Sequence, residues 1–309
     1  IDGDIPALTD ARLGPGTEIE INVTLDQENL VLVRGPVTGQ SIHLNHGGAD
    51  SSVEIEGGDN TILMDRVNTA VVWKDVTDSD AVSSIIRNYG FTPDVERTNA
   101  GHFENRHTLV QRTTDLLFVR QLARRNGLLF WLGYDQVGNE VAHFKKPPLQ
   151  GTPVSQLVMN YDPPSIDSLT IEYNVEYPTE TAGTQLDLNT KDTIDAGQAG
   201  SPLTSLGEVP LTRAGGARLQ THVVPPVDDS GNLQARCTGV LTDAHWFIKA
   251  ECRTTPQQAG CIIRPHTLVE VVGAGSRHSG LYFVAGVKHT ITAGSYAMDL
   301  ELIRNAWSE

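Results

Sequence analysis

The sequence is short of positive charge and of cysteine, and each shortage narrows what the protein can be. Lys and Arg number 23 against 38 Asp and Glu, a net charge of −15. A surface of that sign repels phosphate backbones, which argues against a nucleic-acid binder of the basic-patch kind and is otherwise what plain solubility requires. No run approaches the roughly 20 apolar residues needed to cross a bilayer, so no membrane span is expected. There is no basic-then-apolar leader, and because the chain opens on Ile1 a processed or incomplete N-terminus is expected. Three cysteines, Cys237, Cys252 and Cys261, lie outside any C-x-x-C spacing and are odd in number. A disulfide framework or a metal clip is therefore disfavoured, and buried, reduced thiols are expected.

What remains is an ordinary globular composition, 39% hydrophobic and 20% charged. A chain of 309 residues is long for one core, so two or three domains are expected. The charge is unevenly spread. Residues 1–72 hold 3 basic and 12 acidic groups, or −9, and residues 73–148 hold 10 and 9, or +1. Residues 149–309 hold 10 and 17, or −7, so two acidic segments flank a near-neutral one.

The first segment alternates with the period of strands. Ile19, Ile21 and Val23 share one face, and residues 29–35 and 52–56 repeat the pattern. Turns are expected at Gly14-Pro15-Gly16, Gly35-Pro36 and Gly47-Gly48. The texture changes at Trp73. Thr77-Asp78-Ser79-Asp80 offers helix caps, Val82, Ile85, Ile86 and Tyr89 form one apolar stripe, and Gly90 ends it. A second helix is capped by Thr113 or Thr114, carries Leu116, Val119, Leu122 and Ala123, and stops at Asn126-Gly127. Residues 128–132 and 141–144 then read as a hairpin around Gly138-Asn139. Trp73, Tyr89, Phe118 and Trp131 are expected to anchor the helices to that hairpin.

From 149 onward strands return at 168–175, 268–272, 281–287 and 298–303, with a helix expected within 231–248 bearing Leu233, Cys237, Val240, Leu241 and Ala244. The stretch 178–230 has weak periodicity and reads as a long excursion. The expected class is α+β, mainly β. Two barrel-like tube domains, at 1–72 and 149–309, would hold between them a small α+β insert at 73–148.

The run Gly57-Gly58-Asp59 through Leu63-Met64-Asp65-Arg66 and Val72-Trp73-Lys74-Asp75-Val76-Thr77-Asp78 resembles the phage late control protein D family. That family includes the hub proteins of contractile tails and the N-terminal half of VgrG spike proteins. The likeness continues through Ile85-Ile86-Arg87-Asn88-Tyr89-Gly90-Phe91, Asp115-Leu116-Leu117-Phe118-Val119-Arg120-Gln121-Leu122-Ala123 and Gly127 leading into Trp131. It returns at Ser279-Gly280-Leu281-Tyr282 and Arg304-Asn305-Ala306. The residues that mark the insert are thus Trp73, Thr77, Asp78, Ile85, Ile86, Tyr89, Gly90, Phe118, Leu122, Gly127 and Trp131. The resemblance implies a homotrimeric ring that joins a tail tube to a spike protein, touches other baseplate proteins and lets DNA or protein cargo pass its lumen. Its place would be a virion tail or an extracellular injection particle assembled in a bacterium. The chain ends at Glu309 before the oligonucleotide/oligosaccharide-type barrel and needle of full VgrG proteins, so a separate spike is implied.

Candidate chemistry is thin, and no catalytic, cofactor or metal residue is assigned. His43, His46 and Asp50 would share an ion only if a turn bends there. Gly273 to Gly280 resembles a phosphate-cradling loop, yet a strand follows it, so a hairpin turn is the better reading. Asp94 with Glu96, and His102 with His107, lie in a polar, irregular segment with nothing to place them in a dry pocket. Ser279-Gly280 lacks the G-x-S-x-G elbow. The competing functions are a β-sandwich hydrolase or carbohydrate-processing enzyme, and a stand-alone adhesin or binding module. Trp307 either docks on a partner or closes the last sheet.

Overall fold

The computed structural model describes residues 6–25, 28–48, 50–105, 108–187, 190–216, 218–224 and 230–309. A short helix, α1 (Pro6–Thr9), precedes an antiparallel pair, β1 (Glu18–Leu25) and β2 (Glu28–His43), and β3 (Ser52–Gly57) pairs with the far half of β2. The turn expected at Gly35-Pro36 is absent. One 16-residue strand runs through both residues and passes its pairing from β1 to β3 at that point. Gly35 is there for closeness of approach, since a Cβ on it would overlap the carbonyl of Gly58.

The middle segment holds β4 (Val71–Trp73), β5 (Val76–Thr77), α2 (Asp78–Asn88), β6 (Thr92–Val95), β7 (Gly101–His102), β8 (Leu109–Gln111), α3 (Asp115–Arg125), β9 (Leu129–Tyr134) and β10 (Glu140–Lys145). Helix α2 begins in a full capping box: Thr77 Oγ1 accepts from the Asp80 amide, and the Asp80 carboxylate accepts from the Thr77 amide. Thr114 caps α3. The stripes of both helices close over the β9–β10 hairpin, with Val82, Ile85, Ile86, Val119, Leu122 and Phe144 in one buried cluster. The segment that reads as irregular, 92–107, contains β6 and β7. Strand β6 lies parallel to β10, and β7 pairs with β5. Such short strands are defined by distant partners, so local periodicity does not announce them.

The last segment comprises β11 (Ser155–Val158), β12 (Leu169–Tyr173), β13 (Glu180–Leu186), β14 (Thr193–Ala199), β15 (Val209–Pro210), α4 (Leu211–Ala214), β16 (Gln220–Val223), α5 (Ser230–Ala244), β17 (Ile248–Thr254), α6 (Pro256–Ala259), β18 (Leu268–Val272), β19 (Gly280–Ile291), β20 (Tyr296–Arg304) and β21 (Ala306–Trp307). Six of these strands form the main sheet, in the order β11-β18-β19-β20-β17-β12. Two features differ from the sequence reading. The weakly periodic excursion carries a sheet of its own, β14-β13-β16, whose Gly, Ala and Thr side chains are too small to signal it. The helix stops at Ala244, and Ile248 starts β17, in which Ile248, Ala250, Cys252 and Thr254 alternate inward.

The main core is formed by the six-stranded sheet, and Val23, Leu25, Leu30 and Leu32 of the first hairpin pack against it. Two features seal its end. Buried Arg304 donates to the carbonyls of Leu206, Ser279 and Arg277 and to Ser308 Oγ. Trp307 is buried edge-on against Phe247 and Tyr173, and β21 pairs with β15, so this tryptophan closes its own sheet. The class is α+β, mainly β, as the sequence suggests.

The β18–β19 connection is a hairpin turn against the end of β11. Gly273 has φ +84°, and a Cβ on it would overlap the carbonyl oxygen of Met159; Gly275 has φ +82° with open space around it. Gly273→Ala therefore lowers the unfolding free energy measured in urea by more than about 2 kcal/mol, whereas Gly275→Ala costs only about 1 kcal/mol from backbone conformation. Equal losses in the two variants would refute the steric reading.

Candidate functional site

The residues that mark the insert occupy two places. Trp73 stacks on Phe118 at 6.5 Å and donates its indole N–H to Gln111. Ile85, Ile86 and Leu122 are buried beside them, and the Tyr89 hydroxyl donates to Asp115. Gly90 and Gly127, with φ +78° and +66°, follow the two helices. Trp131 is elsewhere. Neighbouring Phe130 and Leu132 face the helices, so strand alternation turns Trp131 to the other side of β9. Its ring lies between His143, at 4.6 Å, and His266, at 4.2 Å, with the Lys145 ammonium over it at 5.7 Å. Trp131 therefore ties the insert to the main sheet and not, as expected, the hairpin to its helices.

Beneath the first place lies a buried polar network. The Asp78 carboxylate is fully buried at the head of α2 and accepts from His102 Nε2 at 2.7 Å, from Asn126 Nδ2 at 2.7 Å and from Nε and Nη2 of Arg125. Burial alone would raise its pKa. The His102 hydrogen bond, the Arg125 charge and the Asn126 amide outweigh that and hold it below the ordinary carboxylate range. The network links the start of α2, β7 and the end of α3. His102, which reads as a residue of a polar loop, is 1% exposed. Its proposed companion His107 lies outside the described residues. Asp78 and His102 are too deeply buried to meet a substrate, and their work is to fix the two helices.

The second place borders a cavity of about 440 Å³ lined by Val31, Trp131, His143, Arg264, His266 and His289 among others. Asp94 accepts from His143 Nδ1 at 2.7 Å and pairs with Lys145. A carboxylate orienting a histidine is half of a nucleophilic triad, but no hydroxyl or thiol hydrogen-bonds His143 among the described residues. His266 adopts φ +64° and has its pKa lowered to about 4, by burial first and then by the charge of His143. Buried His245 is likewise lowered to about 4 by burial.

The other candidates do not converge. His43, His46 and Asp50 are exposed around the β2–β3 connection, and among the described residues no group of three or more His, Cys, Asp or Glu could hold a metal ion. Glu96 pairs with Lys146. The three cysteines are free, Cys237 and Cys252 are buried, and burial pushes the Cys252 thiol up to about 12. No helix among the described residues is long and apolar enough to cross a membrane.

The family model described as the Alg8 N-terminal domain matches residues 2–293. The chain belongs to that family. No curated protein matches it by sequence. In solved structures, this family member shares its fold with a tail protein from Neisseria meningitidis MC58, at TM-score 0.64 and 15% identity over 93% of this chain and 83% of that one. It shares it also with the 43 kDa tail protein of prophage MuSo2 from Shewanella oneidensis, at TM-score 0.60 and 13% identity, over 93% and 89% of the two chains. A third is the E. coli c3393 protein, described as a component of the type VI secretion system similar to T4 bacteriophage tail proteins, at TM-score 0.56, 14% identity, and 92% and 63% coverage. The Alg8 N-terminal domain family member thus has the fold of tail proteins.

Two expectations follow from the polar groups. Asp78→Ala strands Arg125 and His102 without their anion and costs roughly 3–5 kcal/mol in urea unfolding. Because the Asp78 pKa is depressed by folding, its contribution is present above the ordinary carboxylate value and is lost as pH falls through the folded value. A loss below about 1 kcal/mol would show that the network is not structural. His266 acts in the same direction at higher pH. Its folded pKa lies below 6.5, so stability drains as pH falls from 6.5 toward about 4. His266→Asn, which tolerates the positive φ, is expected to shrink the stability difference between pH 7.5 and pH 4 by up to about 3 kcal/mol. An unchanged pH profile would contradict this.

Proposed function

We propose that the protein is a structural baseplate hub, a non-enzymatic subunit that forms a trimeric ring joining a tail tube to a spike protein. The observation that carries this reading is fold likeness over 93% of the chain to two tail proteins, each matched over more than four-fifths of its own length. The motif run from Gly57 to Trp131, which resembles the late control protein D and VgrG hub family, supports it. We propose a corresponding division into a first tube unit at 1–72, an insert at 73–148 and a second tube unit at 149–309. The last would include the excursion at 178–230.

In this reading the acidic segments contribute to a channel wall. A wall of net negative charge keeps DNA, or an acidic protein cargo, from adhering during passage. The near-neutral insert would pack outside the ring, where other baseplate proteins are met. The particle would be a virion tail or an extracellular injection apparatus, and the ring's closed symmetry would come from one repeated heterologous contact.

Quantitative cross-linking and mass photometry of purified particles test the proposal. Three copies per particle, adjacent to both tube and spike, are the expected result. A stable monomer found apart from any particle would overturn it.

A further inference from the structure

Exposed apolar side chains of the insert and of the last segment share a groove between α3 and α5. Its lining includes Val110 on β8, Leu117 on α3, Val224 just beyond β16 and Val240 on α5, which are 42%, 44%, 85% and 36% exposed. These side chains are far more open than the inward stripes of the same helices, such as Leu116, Leu122, Leu233 and Leu241. The cavity is about 730 Å³.

The rim of this groove is cationic in a protein of net charge −15. Arg120 projects from the exposed face of α3 and pairs with no carboxylate among the described residues. Arg124, one turn on, reaches Asp243 only at 3.8 Å, with both side chains largely in water. Such a pair contributes little and is readily exchanged for a better partner. Asp243 is the one acidic residue of the lining. Arg125 is committed to Asp78.

We propose that this groove docks an acidic amphipathic helix of a partner protein. Two helices form its walls, and β8 adds only three residues of strand, which suits a cylinder better than an added strand. Helix α3 has 11 residues, so a partner helix of about three turns matches its length. Apolar residues at i, i+3, i+4 and i+7 would cover Leu117, Val110, Val240 and Val224, and glutamates on the flanks would meet Arg120 and Arg124. This inference goes beyond the hub reading and holds or fails independently of it.

A labelled synthetic 14-residue peptide, with leucines at i, i+3, i+4 and i+7 and glutamates elsewhere, provides the probe for titration by fluorescence anisotropy against the full chain. Saturable binding is expected, and it should be at least about tenfold weaker for Leu117→Asp and for Arg120→Glu/Arg124→Glu. Val224→Asp, at the most exposed wall position, gives a second apolar test that leaves the fold unchanged by circular dichroism. Added salt should weaken binding. The proposal is overturned if a scrambled peptide or a lysine-for-glutamate peptide binds as well, or if the variants bind as the parent does. It is overturned also if Leu117→Asp converts an oligomer of the chain to monomer, since the groove would then be a contact between copies.

Discussion

The first strands have no core of their own, and the rest of the architecture follows from how that deficit is met. Among the described residues before Met64, Pro36 and Val37 are the only buried apolar side chains. The apolar faces of β1 and β2 are covered instead by the six-stranded sheet, through Val23, Leu25, Leu30 and Leu32. Arg264 reinforces this by donating to the carbonyl of Val31, 233 positions away in sequence. The two ends of the chain must therefore meet before either β region is complete, a non-local requirement that carries the loop-closure entropy of the whole intervening chain.

The insert is different in kind. Its helices cap themselves, bury their own stripes and close over their own hairpin, so its folding information is mostly local. It is nevertheless fastened to the main sheet by aromatic and cationic contacts around Trp131. Stacking of a neutral, buried His266 on that indole gives the junction shape without a net charge, while Asp94 and Lys145 lie at its wetter edge. The same economy appears at Arg304, where backbone carbonyls and a hydroxyl, with no carboxylate among the hydrogen-bond acceptors, satisfy a buried guanidinium. Fixed dipoles from three segments hold the end of the sheet in register.

Legibility tracked the range of the interactions. The stripe Val82, Ile85, Ile86 and the caps Thr77 and Thr114 could be read from the sequence because a helix satisfies its pattern within a few residues. The turn at Gly273–Gly280 was legible for the same reason. The strand through Gly35-Pro36 was not, since its continuity depends on β1 and β3 exchanging places along it. Strand β17 carried a visible alternation from Ile248 to Thr254, obscured by extending the preceding helix too far. His102 looked like a polar loop residue because its partners, Asp78 and Arg125, lie 24 and 23 positions away.

By itself the sequence determined the mainly β class, the two helices of the insert and their caps, and the acidic balance of the chain. Each of these depends on residue type and short spacing. Only the tertiary structure decided that Trp131 faces away from its helices, that Asp78 and His102 are buried partners, and that Val110, Leu117, Val224 and Val240 share one groove beneath arginines. Those facts depend on which faces of distant elements meet, and a period of 2 or 3.6 specifies that a face exists without specifying what covers it.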